Sequence, residues 1–397
     1  MTMASCAIQK ERIPDYSAFD DDVAFLKQYG EVIVLSDDAG HAKVAVMPGL
    51  QGRVMTSTAG PPQNLSYGWI NRSLFQSGDT SVHMNAFGGE ERIWLGPEGG
   101  QYSIFFAADS AFTFENWHTP RLIDLEPFTT VSVSPLAAKF EREATLTNYS
   151  GTRFQLRIDR EVKILSRTEG SQLLGVTFDS LLTAVSYQTI NKLFNTGGTP
   201  WRKSTGLLSI WLLGMFNPSP DLTMVIPYNP GPEDTMGPIV NDDYFGKVPE
   251  DRLKVTDNAI YFRGDGQYRS KIGLNPARAR NVMGSYDAVT NTLTIVTFSP
   301  GRADDVYVNS KWEIQRNPYA GDVVNAYNDG PPAPGAKPMG PFYELESSSP
   351  ARELNPGEHI EHVQTTFHFQ GDATVLDRLA RQVLGVSLTD IRNAFGA

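Results

Sequence analysis

Residues 341–369, PFYELESSSPARELNPGEHIEHVQTTFHF, decide the fold of this 397-residue chain. Two parts of this stretch, residues 341–346 and 359–369, alternate apolar with polar side chains. Such alternation is typical of half-buried β-strands, because successive side chains of a strand point to opposite faces. Glu344 and Glu346 are two residues apart, so a strand here presents both carboxylates on the same face. The stretch therefore predicts two strands and a pair of neighbouring acidic groups.

The same alternation continues outward over most of the chain. Further strands are predicted at residues 31–36, 42–47, 52–58, 92–95, 102–106, 129–134, 138–147, 152–166, 207–213, 222–227, 270–274 and 292–299. The 35 glycines and 26 prolines suit the turns between many short strands, and residues 148–151 and 287–291 predict hairpin turns. Because these strands do not alternate with helices, the pattern indicates an all-β fold, a large antiparallel β-sandwich, rather than a parallel α/β fold.

Short helices are predicted at both ends of the chain. The first is capped by Ser17 or Asp20 and ends at Gly30, while Asp372 and Ser387 cap two helices that close the chain. We expect an N-terminal segment with its helix (1–30), one β-domain (31–370), and a C-terminal helical segment packed on that domain (371–397).

Composition narrows the classes of partner. The formal net charge is −11, and an acidic surface repels phosphate backbones, so we expect no nucleic-acid partner. No apolar run reaches the roughly 18 residues that span a bilayer, which predicts no membrane-spanning segment. The glycines at residues 96–100 lack the lysine that follows in a phosphate-binding loop, and no spacing of metal ligands is regular. We expect neither a cofactor nor a metal, and the oligomeric state stays open.

The single cysteine, Cys6, excludes an intrachain disulfide and leaves the compartment open. Residues 3–6, MASC, are similar to the end of a bacterial lipoprotein cleavage box. One interpretation is a chain whose signal lies upstream and whose Cys6 is lipidated, in the periplasm or cell envelope. The alternative is a cytoplasmic protein with an ordinary N-terminal cysteine.

Three passages indicate a family. They are MPGLQGRV at residues 47–54, a segment at residues 292–309 that contains TFSPG and YVN, and residues 343–367 with YELES, LNPGE and TTF. Together they resemble the aldose 1-epimerases of the galactose mutarotase superfamily. That family carries Gly-x-Arg-Ile early in the chain, T-x-x-P-G with Y-x-x-N late, and then a Leu-Glu-x-Gln strand, a Leu-x-Pro-Gly-Glu turn and a Thr-x-Tyr/Phe-x-Phe strand. The resemblance covers most of residues 31–370 and implies a mutarotase-like supersandwich that binds a sugar in a concave groove.

The resemblance also implies site residues. Glu346 falls on the catalytic base of the family, and Arg53 falls on an arginine of its sugar site. Two passages depart from the family pattern. Phe87 stands where a histidine precedes the paired glycines, and His83 is the nearest histidine. NKLFN at residues 191–195 stands where the family has Asn-His-x-Tyr-Phe-Asn, so Lys192 lies near the place of the acid histidine.

Interconversion of sugar anomers needs a base for the anomeric hydroxyl and an acid for the ring oxygen. Glu346 is the predicted base, and Lys192, His83 or Lys271 is the predicted acid. Two carboxylates on one face raise the pKa of one of them, which gives Glu344 a role beside Glu346. The alternative is that both glutamates are exposed on an outer face.

Sugar binding is predicted for polar and aromatic residues near these groups. The segment 83–101 is dense in glycine, aromatic and charged residues, and the loop before Lys271 stands where the family has a sugar-binding passage. The predicted binding residues are Arg53, Asn85, Glu91, Arg92, Trp94, Glu98, Asn191, Asp265, Arg269 and Glu344. The alternative is that Glu91 pairs with Arg92 and that Trp94 belongs to the core.

Three functions stay open at this point. The first is an aldose 1-epimerase-like isomerase, which a buried carboxylate facing a cationic acid would favour. The second is a glycoside hydrolase or polysaccharide lyase, and a hydrolase needs two carboxyl groups across a cleft. The third is a non-catalytic carbohydrate-binding protein, which a groove of aromatic and amide groups alone would favour. A fold by itself cannot choose between them.

Overall fold

The computed structural model describes residues 16–396, so the predicted lipidation site at Cys6 lies outside the described residues. This part of the chain forms eighteen strands and seven α-helices. The strands are β1 (Ile33–Ser36), β2 (Lys43–Met47), β3 (Arg53–Thr58), β4 (Arg92–Gly96), β5 (Thr129–Val133), β6 (Ala137–Thr147), β7 (Arg153–Ile164), β8 (Leu182–Asn195), β9 (Ser209–Phe216), β10 (Leu222–Pro227), β11 (Leu253–Val255), β12 (Ala259–Arg263), β13 (Ser270–Leu274), β14 (Val282–Asp287), β15 (Thr292–Phe298), β16 (Val324–Asn328), β17 (Tyr343–Ser348) and β18 (His359–Gly371). The helices are α1 (Phe19–Leu26), α2 (Arg72–Ser77), α3 (Arg121–Asp124), α4 (Arg167–Leu174), α5 (Glu233–Met236), α6 (Ala373–Val383) and α7 (Leu388–Arg392). The all-β class is therefore confirmed.

The strands form three sheets, and every pair of neighbouring strands is antiparallel. The small sheet has the order β1-β2-β3. The large sheet has ten strands in the order β11-β12-β10-β14-β15-β18-β8-β7-β6-β5, and the third has five in the order β13-β16-β17-β9-β4. The turns predicted at residues 148–151 and 287–291 join β6 to β7 and β14 to β15.

The five-stranded sheet packs on the ten-stranded sheet through two apolar clusters. At one end, Leu212 of β9 belongs to a cluster with Ile158 of β7. At the other end, Leu345 of β17 belongs to a cluster with Met224 of β10. Because Leu345 points into this core, Glu344 and Glu346 on either side of it point to the opposite face. We call that opposite side the outer face of the five-stranded sheet.

The C-terminal helices cover the other side of the ten-stranded sheet. Leu376 and Leu379 of α6 and Ile391 of α7 are buried in a cluster with Phe367 and Phe369 of β18. This explains why β18 is apolar on a face that would otherwise meet water. No helix within residues 16–396 is both long and apolar enough to cross a lipid bilayer.

The caps of the C-terminal helices are confirmed, whereas the cap predicted for the first helix is wrong. Asp372 accepts hydrogen bonds from the backbone of the first turn of α6, and Ser387 forms a capping box at α7. At α1 the N-cap is Ala18, which has no side-chain acceptor, and the Ser17 hydroxyl donates to Asp22 at 2.6 Å. Asp20 lies inside the first turn, where its charge favours the helix dipole.

The strand predicted at residues 102–106 is wrong, since this segment is a buried turn that carries Phe105 and Phe106. Conversely, the sequence pattern does not predict β8, β11, β12, β14 or β16. In β8 the reason is that Thr189 and Asn191 are polar yet fully buried between the sheets. Burial of polar side chains removes the apolar–polar alternation on which a strand prediction depends.

Candidate functional site

Cross-strand pairing places charged side chains in adjacent rows on the outer face of the five-stranded sheet. In one row, Glu346 of β17 lies at the centre. It pairs with Asn325 of β16 on one side and with Leu213 of β9 on the other, and Leu213 in turn pairs with Arg92 of β4. In the next row, Lys271 of β13 pairs with Tyr327 of β16, and Tyr327 in turn pairs with Glu344 of β17. Residues paired in this way share a face, so strands distant in sequence bring these groups together.

The carboxylate of Glu346 is fully buried and asymmetrically bonded. Its Oε2 atom accepts hydrogen bonds from Lys271 Nζ at 2.9 Å and from the Trp211 indole at 2.9 Å. Its Oε1 atom has no hydrogen-bond partner among the described residues. Leaving a buried acceptor unpaired costs about 1–3 kcal/mol, so this oxygen is placed to accept a proton or a hydrogen bond from a bound molecule.

Glu344 forms a second ion pair on the same face. Arg92 donates to its Oε1 atom at 2.5 Å, and the guanidinium lies 5.0 Å from the Trp94 ring. Burial raises the pKa of Glu344 to about 7, and the negative charge of Glu346 acts in the same direction against the attraction of Arg92. Glu344 can therefore exchange a proton near neutral pH.

Lys271 lies between two aromatic rings. Its ammonium group is 4.7 Å from the centre of the Trp211 ring and 5.6 Å from that of Tyr244. The Tyr244 hydroxyl donates to Asp322 at 2.5 Å and accepts from Asn325 at 3.1 Å. Burial raises the pKa of Tyr244 and that of Asp322 above their ordinary values.

A further carboxyl group, that of Glu98, and a further cation, Arg269, lie at the rim. Trp312 donates to Glu98 Oε1 at 3.3 Å. Burial raises the pKa of Glu98 while the charge of Lys271 lowers it, and the charge of Glu346 adds to the increase. The Arg269 guanidinium lies 3.9 Å from the centre of the Phe245 ring, which is 47% exposed. The site thus combines carboxylates, cations and aromatic rings.

The site brings together seven of the residues predicted from sequence. They are Arg92, Trp94, Glu98, Arg269, Lys271, Glu344 and Glu346. Three further residues complete it and were not predicted, namely Trp211, Tyr244 and Asp322. No sequence motif marks these three, because each reaches the site through contacts between distant parts of the chain. No cluster of three metal-ligating side chains is found between residues 16 and 396.

Three predicted binding residues lie instead in buried polar contacts away from the outer face. Glu91 pairs with Arg160 at 3.0 Å, with both side chains 0% exposed, and Asn191 accepts from the same guanidinium at 2.6 Å. Burial raises the pKa of Glu91 against the attraction of Arg160. Arg53 is 1% exposed and donates to Gly88 and Gln51, and burial lowers its pKa to about 9. Glu91, Asn191 and Arg53 thus bond to other buried groups of the protein and not to the outer face.

Lys192 is not beside Glu346. It lies on β8 of the ten-stranded sheet, next to the buried Asn191, and therefore points to the opposite, outer side of that sheet. There it pairs with Glu361 at 3.3 Å, and its side chain is 37% exposed. The motif spacing that suggested an acid role therefore does not bring this side chain to Glu346.

The remaining predicted residues lie at the margins. Asn85 bonds through its amide to Asp124 at 2.7 Å, and Asp265 pairs with Arg252. His83 bonds through Nδ1 to the Trp117 carbonyl at 2.7 Å. The polar groups of Asn85 and Asp265 therefore already have partners within the protein, whereas the ring of His83 packs against Phe114 and His118.

The chain is similar, at low sequence identity, to several solved structures. It is 13% identical to the Slr1438 protein from Synechocystis sp. PCC 6803 (TM-score 0.49, covering 86% of this chain and 96% of that chain). It is 9% identical to a galactose mutarotase-like protein from Lactobacillus casei ATCC 334 (TM-score 0.49, 85% and 100%) and 7% identical to a galactose mutarotase related enzyme from Lactobacillus acidophilus (TM-score 0.41, 87% and 98%). Similarity at this level carries no function over, and no curated protein matches the chain. Residues 17–395 match a family across nearly the whole sequence, and the chain therefore belongs to DUF6786, a family of unknown function.

Proposed function

We propose that this protein is a sugar isomerase of the aldose 1-epimerase type, with Glu346 as the base and Lys271 as the acid. The observation that carries the proposal is the asymmetric bonding of Glu346. One carboxylate oxygen is bonded to Lys271 and Trp211, and the other has no partner among residues 16–396. The resemblance in the LES passage, which puts Glu346 on the base of the mutarotase family, supports the same role.

The chemistry follows from these two groups. Glu346 Oε1 takes the proton of the anomeric hydroxyl, and the ring C–O bond breaks as the ring oxygen takes a proton from the Lys271 ammonium. The open-chain aldehyde rotates about its C1–C2 bond. Reclosure on the other face returns one proton from the ring hydroxyl to Lys271 and one from Glu346 to the new anomeric oxygen. Both groups end in their starting states, as a catalyst requires.

The surrounding residues suit a sugar. The Arg92–Glu344 pair and Glu98 present donors and acceptors for hydroxyl groups, and Trp211 presents an aromatic ring. Sugars combine hydroxyl groups with apolar ring faces, so a site of this mixed composition fits them. Arg92 holds Glu344 in a fixed position, so the atoms to which the sugar hydroxyl groups would bind are held in place as well.

Access to Glu346 requires movement. The Glu346 side chain is 0% exposed and the Lys271 side chain only 11% exposed. A small molecule usually binds in an open cavity of about 300–1,000 Å³, so the groups that cover this pair have to move before a sugar can reach it. The segment 241–247 carries Tyr244 onto the outer face, where its hydroxyl bonds to Asn325 beside Glu346. Most of this segment is exposed, and its tip pairs with Lys311 at 3.3 Å through Asp243. We propose that this segment, which we call the lid, opens to admit the sugar.

A glycoside hydrolase is the second candidate, favoured by Glu344. A carboxyl group whose pKa is raised to about 7, beside a second buried carboxyl group, has the properties of the acid in a hydrolase pair. The ion pair with Arg92 opposes this role, because it favours the ionised form of Glu344. A purely binding function is less well supported, since such a site has no need of a buried carboxylate–ammonium pair.

The test is proton NMR of anomeric signals in freshly dissolved glucose, galactose, mannose and xylose. We expect the wild type to accelerate anomer exchange and both Glu346→Gln and Lys271→Met to abolish it. Glu361→Gln and Lys192→Met are matched controls on the far side of the ten-stranded sheet and should retain the wild-type rate. The double variant Glu346→Gln/Lys271→Met, which removes both charges, checks that lost activity does not reflect lost folding.

Three outcomes contradict the proposal. No acceleration by the wild type on any of the four sugars would exclude the epimerase on those substrates. Activity that survives in folded Glu346→Gln would exclude this base. Release of reducing ends from oligosaccharides, lost in Glu344→Gln, would support the hydrolase instead.

A further inference from the structure

A continuous set of aromatic rings leads from the candidate site to the protein surface. Trp312, which donates to Glu98, stacks on Trp117 with ring centres 5.9 Å apart, and Trp117 stacks on Phe114 at 6.1 Å. Phe114 lies 4.4 Å from His83, and His83 stacks on His118 at 5.1 Å with the two planes 9° apart. We call these five residues the aromatic strip.

The outer half of the strip is exposed although it is apolar. Phe114 is 56% exposed, and two apolar side chains that flank the strip in sequence, Val82 and Ile314, are 74% and 64% exposed. Phe114 packs against His83, so the outer half of the strip is an exposed aromatic surface of the kind that binds a partner or ligand. The strip itself carries no fixed charge when its histidines are neutral, so it fits a neutral ligand.

The strip also offers hydrogen-bonding atoms. Nδ1 of His83 and of His118 each face a backbone carbonyl oxygen, at 2.7 and 2.9 Å, so Nδ1 carries the proton in each neutral ring. Nε2 of both rings is then an acceptor, and it has no bond to any described residue. Aromatic side chains next to these free acceptor atoms fit a molecule with apolar faces and hydroxyl edges.

We propose that the aromatic strip binds further units of a neutral oligosaccharide whose terminal unit occupies the Glu346 site. This inference rests on the proposed function and adds the class of substrate, a linear glycan chain rather than a free monosaccharide. Its physical basis is continuity, because the strip begins at Trp312, the residue that bonds to Glu98 of the site. Sugar units would pack along the exposed side of the strip, against the accessible surfaces of Phe114 and His118.

The experiment is calorimetric titration with linear oligosaccharides of one to six units, built in separate series from glucose, mannose and xylose. We expect affinity to rise about tenfold or more between one and four units in at least one series, as stacking of one or two more rings would give. Phe114→Ala and His118→Ala should lose most of that gain and leave monosaccharide anomer exchange unchanged. Leu173→Ala, which removes a side chain of similar exposure (54%) on α4, should retain the gain.

The outcomes separate the two proposals. Anomer exchange without any dependence of affinity on chain length would overturn the strip and leave the isomerase. A length-dependent gain that Phe114→Ala removes, without anomer exchange, would overturn the isomerase and support the strip. A gain that survives in both variants, or no binding in any series, would overturn the strip.

Discussion

Lys271 Nζ lies 2.9 Å from Glu346 Oε2, and only 11% of the lysine side chain and none of the glutamate side chain is exposed. A buried pair of this kind gains little net stability, because desolvation of both charges opposes their attraction. Removing one partner is different, since it leaves the other charge buried and unpaired. The arrangement thus places a carboxyl group and its cationic partner in a site from which water is largely excluded.

The first prediction concerns this pair and stability. Glu346→Gln should lower the free energy of unfolding by about 3–5 kcal/mol, and Glu346→Gln/Lys271→Met should lower it by clearly less. Urea denaturation followed by fluorescence measures both. The exposed pair Lys192–Glu361 is the control, and its single variants should change stability by about 0–1 kcal/mol. Equal destabilisation by the single and double variants at the Glu346 site would show that the two charges are not coupled.

The second prediction concerns pH and Glu344. Its pKa is raised to about 7 in the folded protein, so the folded state holds this proton more tightly than the unfolded chain. The stabilising contribution is complete below the unfolded pKa and is lost as pH rises through about 7, with a slope of up to about 1.4 kcal/mol per pH unit.

Comparison of wild type with Glu344→Gln isolates this effect from other carboxyl groups. The difference in unfolding free energy between the two proteins should change between pH 4.5 and 7.5 and level off above pH 8. The measurement is chemical denaturation across that range in one buffer series. A difference that stays constant across the range would show that Glu344 has an ordinary pKa.

The third prediction concerns the lid. Tyr244→Phe removes the hydroxyl that bonds to Asp322 and Asn325, so the lid should open more often. Hydrogen exchange measured by mass spectrometry should become about tenfold faster in residues 241–247, as loss of about 1.4 kcal/mol predicts. Tyr228→Phe removes a hydroxyl that donates to the Thr256 carbonyl at 2.7 Å, a contact that involves no residue of the lid, and should leave hydrogen exchange in the lid unchanged. Unchanged exchange in Tyr244→Phe would show that other contacts hold the lid.

The two glutamates show how far sequence alone leads. The period of two along a strand correctly puts Glu344 and Glu346 on one face, because Leu345 between them fills the core. The same period argues against Lys192, since Asn191 before it points between the sheets. Trp211 lies 135 residues from Glu346 in sequence, and only the order of strands in the sheet brings them into contact. Local patterns thus determine which face a residue occupies, whereas the partners across the sheet depend on topology.

The last prediction separates Glu91 from the site. The carboxylate of Glu91 is fully buried between the sheets, where it accepts from Arg160 at 3.0 Å and from Gln364 at 2.9 Å. Glu91→Gln should lower the free energy of unfolding by about 3–5 kcal/mol because it leaves the Arg160 charge unpaired. Its folded fraction should show wild-type anomer exchange, since Glu91, directly before β4, points between the sheets to Arg160, whereas Arg92 points to Glu344 on the outer face. The measurement is the exchange rate per folded molecule, with Arg92→Met as the contrasting variant that should lose activity. A Glu91→Gln protein of normal stability but reduced exchange would return Glu91 to the sugar site.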